Sequence, residues 1–283
     1  MDQYLDARCE IRNTFEDMLY TSERIKGRPF TWNEAASGNM SAVIPCDMRE
    51  TDVKPLGKLP STRTYYRIRK QCFLVTASGS RLYELGQNTK KNMGIIRVSD
   101  DGESIDWYWG FERGRPTSEL PSHLEIYERR NRKPAGAVAH FHTPFVNALS
   151  AGVDIQDAHR LDALLSHLHT ESNLYLADGL GFTRAEMPGS QELAKATLDQ
   201  LESHDVVLWS HHGVVSVGDS DNPSPIKHAV DRIEVAENLA LIFCMSAVMG
   251  GPYKLPPYIS QRIGEIVEAA DLRKMMERAR THS

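Results

Sequence analysis

The chain has 283 residues, 41% of them hydrophobic and 25% charged, with a formal net charge of −5. That length and composition exclude a disordered chain or a small fold that needs staples, and predict a globular protein with a large core. The acidic balance and the absence of a basic patch argue against nucleic acid or a membrane surface as partner, though not against a small anionic substrate held by a few local donors. The N-terminus carries early acids and no apolar stretch of signal-peptide length. The most apolar run, residues 239–249, is too short to span a bilayer. Cys9, Cys46, Cys72 and Cys244 are scattered without a CxxC pair, which predicts reduced thiols and a cytoplasmic protein.

In chain order, the apolar positions Tyr4, Leu5, Ile11, Phe15, Met18 and Leu19 predict a helix over residues 1–25, ended by Gly27 and Pro29. Ser37-Gly38-Asn39 is a loop before a short strand at 41–45, and the proline-bearing stretch 47–59 reads as an excursion. Strands are expected at 65–76, 94–98 and 105–109, the last two forming a hairpin around Ser99-Asp100-Asp101-Gly102. Thr117 or Ser118 caps a helix that begins at Glu119, and residues 135–142 form a buried strand. A capped helix starts at Thr143 with Pro144 in its first turn. Residues 154–172 and 190–203 read as helices and 173–177 as a strand. Strands at 206–209 and 214–217 enclose Ser210-His211-His212-Gly213, and helices run over 226–249 and 260–280. Interleaved strands and helices predict one α/β domain over 1–283, with a core at 30–251 and a largely antiparallel or mixed sheet covered by helices.

The strongest chemical signal is His140-Phe141-His142 at a strand end. Residues two apart on a strand face the same way, about 6.5 Å between Cα atoms, so both imidazoles reach one ion while Phe141 points into the core. A third imidazole would leave one open coordination position, the catalytic pattern for zinc. Spacing alone does not choose between His211 and His212 for that third ligand, and Gly213 permits a sharp turn beside either. The remaining histidines, His123 among them, fall in helical or terminal segments, where surface or packing roles are expected. Glu119, in a first helical turn, reads either as a capping residue or as a carboxylate beside amides able to bind an oxyanion. Thr76-Ala77-Ser78-Gly79 is a small polar loop of the kind that also cradles phosphate.

Taken together, Trp32-Asn33-Glu34, Ser37-Gly38-Asn39, Val75-Thr76-Ala77-Ser78-Gly79, Met93-Gly94-Ile95-Ile96 and Asp101-Gly102 carry a resemblance that continues through Pro116-Thr117-Ser118-Glu119-Leu120-Pro121-Ser122-His123, His140-Phe141-His142 and His212-Gly213-Val214. On these motifs the chain resembles the class II aldolase/adducin family over residues 32–251. The resemblance implies a three-layer α/β/α fold around a mainly antiparallel sheet and a homotetramer with active sites between subunits. It implies zinc on His140, His142 and His212, and Glu119 as catalytic acid/base. Phosphate would be bound by Asn39, Thr76, the Ala77 backbone, Thr117 and Ser118, with a further glutamate, matched by Glu171, coming from a neighbouring copy. The implied reaction is reversible cleavage of a ketose 1-phosphate to dihydroxyacetone phosphate and a small hydroxyaldehyde. Decarboxylase, epimerase, dehydratase and non-catalytic binding readings share the scaffold. Two departures stand out: Ala36 replaces an amide, and Ala77 replaces the glycine of a TGSG loop.

Overall fold

Residues 135–141 hold seven consecutive buried positions without polar alternation, the pattern of a strand covered on both faces. In the computed structural model, which describes residues 9–28, 32–50, 53–61, 63–112 and 114–281, this segment is β6 (Ala135–Phe141), near the middle of a nine-stranded sheet. Its neighbours are β1 (Asn39–Ile44) and β9 (Gly213–Asp219), both antiparallel to it. Beyond β1 lie β3 (Cys72–Thr76), β4 (Met93–Val98), β5 (Ser104–Gly110) and β2 (Gly57–Pro60). Beyond β9 lie β8 (Val206–Trp209) and β7 (Gly181–Thr183). Among the described residues only the β7–β8 pair is parallel.

Helices cover both faces, giving the expected three layers. On one side α1 (Cys9–Lys26), α4 (Pro144–Gly152) and the long α8 (Pro225–Val248) bury Phe15, Met18, Leu149, Ile226 and Ile233 against Met40, Ala139 and Phe141. On the other, α3 (Leu120–Arg129) and α7 (Gln191–Leu201) bury Leu124, Tyr127, Leu193 and Leu201 against Val75, Val138 and Val215. The period of two along each strand sorts residues between these layers. Phe141 joins the first, as expected, so His140 faces the second. No described helix is long and apolar enough to cross a membrane.

Several boundaries differ from expectation. Of residues 65–76 only 72–76 are strand. Tyr65 and Ile68 are buried in a loop whose amides at Tyr66, Arg67 and Ile68 donate to the Glu128 carboxylate, at 2.8, 2.9 and 3.1 Å, instead of to a ladder. The excursion at 47–59 runs into the edge strand β2, which pairs with β5. The helix expected over 154–172 is α5 (Ala158–Leu165). It stops before His167, which takes a left-handed φ of 62°. Residues 173–177 are not a strand. Ser172–Tyr175 is the short helix α6, and the strand is β7, whose three residues are too few to show a period. The C-terminal helix α9 (Pro257–Thr281) follows. A four-residue turn of helix, α2 (Thr89–Asn92), leads directly into β4. Pro29, His282 and the first eight residues, with Tyr4 and Leu5, lie outside the described residues.

At the end of the sheet where β8 begins and β9 finishes, Asp205 and Asp219 meet Arg130 and Arg232, all four buried. Asp205 accepts from Arg130 and, at 2.6 Å, from Arg232. Asp205→Ala leaves two buried guanidiniums with one carboxylate. It is expected to lower the unfolding free energy by about 3–5 kcal/mol in denaturant titration, whereas the exposed pair Arg262–Glu265 is expected to contribute nothing measurable.

Candidate metal and acid–base site

His140 is almost wholly buried, and its Nδ1 lies 3.1 Å from the Val214 carbonyl oxygen. A carbonyl only accepts, so Nδ1 carries the proton and Nε2 presents its lone pair to the site. His142 follows immediately after β6. Its backbone amide donates to Asn33 Oδ1 at 2.8 Å, and its carbonyl accepts from Asn33 N at 3.4 Å. Asn33 is fully buried at φ 59°, and Gly38 closes over it: a Cβ at Gly38, itself at φ 74°, would sit 2.3 Å from Asn33 Oδ1. The chain leaving His142 starts α4 with Pro144 in the first turn. The cap is not the Thr143 side chain but Glu237 of α8, which accepts from the amides of Phe145 and Val146 at 2.8 Å each.

The third imidazole comes from the β8–β9 turn. His211 is exposed, with φ 58° and its amide on Ser150 Oγ at 3.0 Å, and His212 turns inward. Gly213 is required there, since a Cβ would lie 2.3 Å from the Phe141 carbonyl oxygen and 3.2 Å from His140 Cε1. Trp209 packs against both rings, with centroids 4.4 Å from His140 and 5.1 Å from His212. One nitrogen from each of His140, His142 and His212 lies within 4.8 Å of the others, and the Nε2 atoms of His140 and His142 are 3.1 Å apart. Burial, the largest cause in each case, holds all three rings below the usual imidazole range, so they are neutral and able to ligate at neutral pH. Zinc–nitrogen bonds of about 2.0–2.1 Å in a tetrahedron need nitrogens about 3.3 Å apart, so the donor set fits a divalent ion with little movement.

Glu119 sits at the start of α3, but its side chain makes no cap. The buried carboxylate turns into the site instead. Oε2 accepts from Asn39 Nδ2 at 2.8 Å and lies 3.8 Å from His140 Nε2, and Oε1 lies 4.0 Å from His212 Nε2. Burial raises its pKa, partly offset by the Asn39 hydrogen bond and by His212. Behind Asn39 stand Ser41, Tyr127 and His123, the last a residue for which a surface or packing role was expected. Burial pushes the His123 imidazole down to about 3, so it is neutral. The signal was present in the spacing: Glu119, His123 and Tyr127 share one face of α3 at four-residue intervals, and Asn39 and Ser41 share one face of β1.

A cavity of about 220 Å³ joins these groups, lined by Ala36, Ser37, Gly38, Asn39, Ala77, Ser78, Gly79, Thr117, Ser118, Glu119 and the three histidines. A larger one of about 570 Å³, among α5, α6, α8 and α9, contains none of the candidate residues, so chemistry rather than size selects the site. Thr76 is not in the lining. It falls one position out of phase with Val75, on the α1/α8 side, and its hydroxyl bonds the Met40 amide and carbonyl at 3.1 and 3.3 Å. The Ala77 amide donates to the Asn92 carbonyl at 2.8 Å, so it is engaged within the fold. Replacement of glycine at 77 is accommodated because the left-handed turn falls at Gly79, φ 74°. Thr117 Oγ1 accepts from the Glu119 amide at 3.3 Å, and Ser118 is exposed at the rim. Glu171 lies outside this cavity. It is exposed at the start of α6, taking the Thr170 hydroxyl at 2.6 Å and facing His169 at 3.2 Å, and the Thr170 bond holds its carboxyl below the usual range.

Residues 17–244 match the family described as Class II Aldolase and Adducin N-terminal domain. The chain belongs to the class II aldolase and adducin family. It stands with the aldolases, enzymes of the lyase class that depend on a metal, and the His140/His142/His212 set can hold one. A rhamnulose-1-phosphate aldolase of Enterococcus faecalis is 28% identical over 250 residues, 83% of this chain and 84% of that protein. One from Listeria monocytogenes is 27% identical over 228 residues, 78% and 81% of the two chains. Among solved structures, a sugar-phosphate aldolase from Thermotoga maritima superposes with a TM-score of 0.71 at 27% identity, covering 86% of this chain and 98% of that one.

Proposed function

We propose that this aldolase catalyses the reversible cleavage of a ketose 1-phosphate, with L-rhamnulose 1-phosphate the first candidate, to dihydroxyacetone phosphate and L-lactaldehyde. The observation that carries the reading is the buried Glu119 carboxylate within 4.0 Å of two imidazoles of the ligand triad, in a cavity walled by small polar loops. The Enterococcus and Listeria relatives support the choice of sugar. His140, His142 and His212 would hold a divalent cation, zinc being suited to three imidazoles, which would supply Lewis-acid stabilisation of negative charge on the donor fragment.

Glu119 holds and returns the proton at the donor carbon, a role that its burial favours because a carboxyl of raised pKa stores a proton nearer neutral pH. Asn39 fixes the carboxylate by its amide. Ser37, Ser78, Thr117 and Ser118 surround the phosphate and hold the substrate in line. Cleavage also needs a group to take the proton from the C4 hydroxyl. Glu171, ionised and outside its own chain's cavity, does this for a neighbouring copy in a homotetramer, and a light-scattering mass of four chains belongs to the same reading. Ala36 leaves methyl surface where an amide would grip the donor end, which favours a decarboxylase or epimerase as the second reading.

The test is a substrate screen of ketose 1-phosphates and sugar-acid phosphates with zinc-loaded protein. Dihydroxyacetone phosphate and an aldehyde are expected from the first group, abolished by a chelator and restored by zinc. Carbon dioxide, or an isomer of unchanged mass, would replace the aldolase reading with the second.

A further inference from the structure

Glu119 Oε2 is the end of a buried chain of side chains that crosses from α3 to β1 and back. Asn39 Nδ2 is 2.8 Å from Oε2, Asn39 Oδ1 is 2.6 Å from His123 Nε2, and His123 Nδ1 is 2.7 Å from Ser41 Oγ. Tyr127 closes the chain, its hydroxyl donating to the Ser41 carbonyl at 3.0 Å and lying the same distance from Ser41 Oγ. All five residues are buried, so none can trade its partner for water without cost.

The direction of this chain follows from its carboxylate end. A carboxylate only accepts, so Asn39 must present Nδ2 to it and Oδ1 to His123. His123 must then donate from Nε2. A neutral ring has a single N–H, so Nδ1 carries a lone pair and accepts the Ser41 hydroxyl. Each choice leaves the next group one satisfied orientation. The result is an oriented carboxylate: Oε2 is anchored to Asn39, and Oε1 is the oxygen turned toward His212.

We propose that His123 is a positioning residue for the reaction, held as the Nε2–H tautomer by Asn39 Oδ1, with its ring steadied by the Ser41 hydroxyl on Nδ1, and acting through Asn39 to orient the Glu119 carboxylate toward the reacting atoms. The inference rests on Glu119 being the acid/base of the proposed cleavage. A histidine that only filled space would be replaceable by any side chain of similar volume. A positioning histidine needs a donor at Nε2, which glutamine can supply and leucine cannot.

The test compares His123→Leu, His123→Gln and Ser41→Ala in the metal-loaded protein. Leucine is expected to lower kcat by about 10- to 100-fold, the size of effect seen when a partner behind a working group is lost, with KM and metal content unmoved. Glutamine is expected to return most of that loss. Ser41→Ala keeps the ring and removes the hydroxyl that steadies it at Nδ1, so it should also lower kcat, and it serves if the leucine variant fails to fold. Crystal structures give a readout independent of turnover, with the Asn39–Glu119 contact kept in the glutamine variant and broken in the leucine variant. Equal losses in the leucine and glutamine variants, a wild-type kcat in either His123→Leu or Ser41→Ala, or an Asn39–Glu119 contact that survives leucine would each overturn the proposal. A wild-type protein inert toward every ketose 1-phosphate would sink the reaction instead, leaving the two crystal structures as the test of the chain.

Discussion

Glu119→Gln is expected to retain its metal and lose about 100- to 10,000-fold in kcat, the range contributed by a positioned acid/base. Glutamine is the informative replacement because it keeps the shape of the side chain. Its amide oxygen can still accept from Asn39 Nδ2, so the buried chain through His123 keeps its end point. What disappears is the capacity to hold and release a proton. Alanine at the same position would also open space beside His140 and His212 and confuse loss of chemistry with loss of shape. The carboxylate is 3.8 and 4.0 Å from the imidazole nitrogens, beyond a hydrogen bond, so the ligand set does not depend on it. Metal analysis and turnover on the same preparation decide the matter. Wild-type turnover would remove Glu119 from the mechanism, and loss of metal would make it part of the ligand arrangement.

The sequence made the layers and half of the site legible for one reason: strand parity is a local property. His140 and His142 share a face because they are two apart, and Phe141 had to point into the opposite layer. The same rule, applied to Thr76, places it out of phase with Val75, the β3 partner of Ser41, and so outside the cavity lining. A family motif names a segment without saying which of its side chains turns inward. The choice between His211 and His212 was beyond local pattern. It is made by a left-handed residue at 211 and by a carbonyl from β6 that leaves no room for a Cβ at 213. The hydrogen bond of His123 was not legible locally, because its partner Asn39 is 84 residues away in sequence. The short helix at 172–175 and the three-residue β7 were unreadable, being shorter than the periods that would reveal them.

His142→Ala is expected to abolish metal binding at limiting metal and to reduce turnover to that of chelator-treated wild type, with the fold intact. The choice among the three ligands matters. His140 is buried against Trp209 and bonded to the Val214 carbonyl, so its removal would unsettle β6 and β9 together with the metal. His142 is different. Its side chain is 19% exposed and meets the fold mainly through the other imidazoles, while its tie to Asn33 runs through the backbone and survives substitution. Two imidazoles hold a divalent ion far more weakly than three. The loss of affinity should therefore exceed the about 10- to 100-fold that follows removal of a partner behind a ligand. Metal bound to the native state alone raises the unfolding temperature by mass action. Added zinc should accordingly raise it for the wild type and for His211→Ala, whose ring is exposed, and leave His142→Ala unmoved. A His142→Ala protein that kept stoichiometric metal and turned over normally would show that the three imidazoles do not act as one ligand set, and Glu119 would then need another source of charge stabilisation beside it.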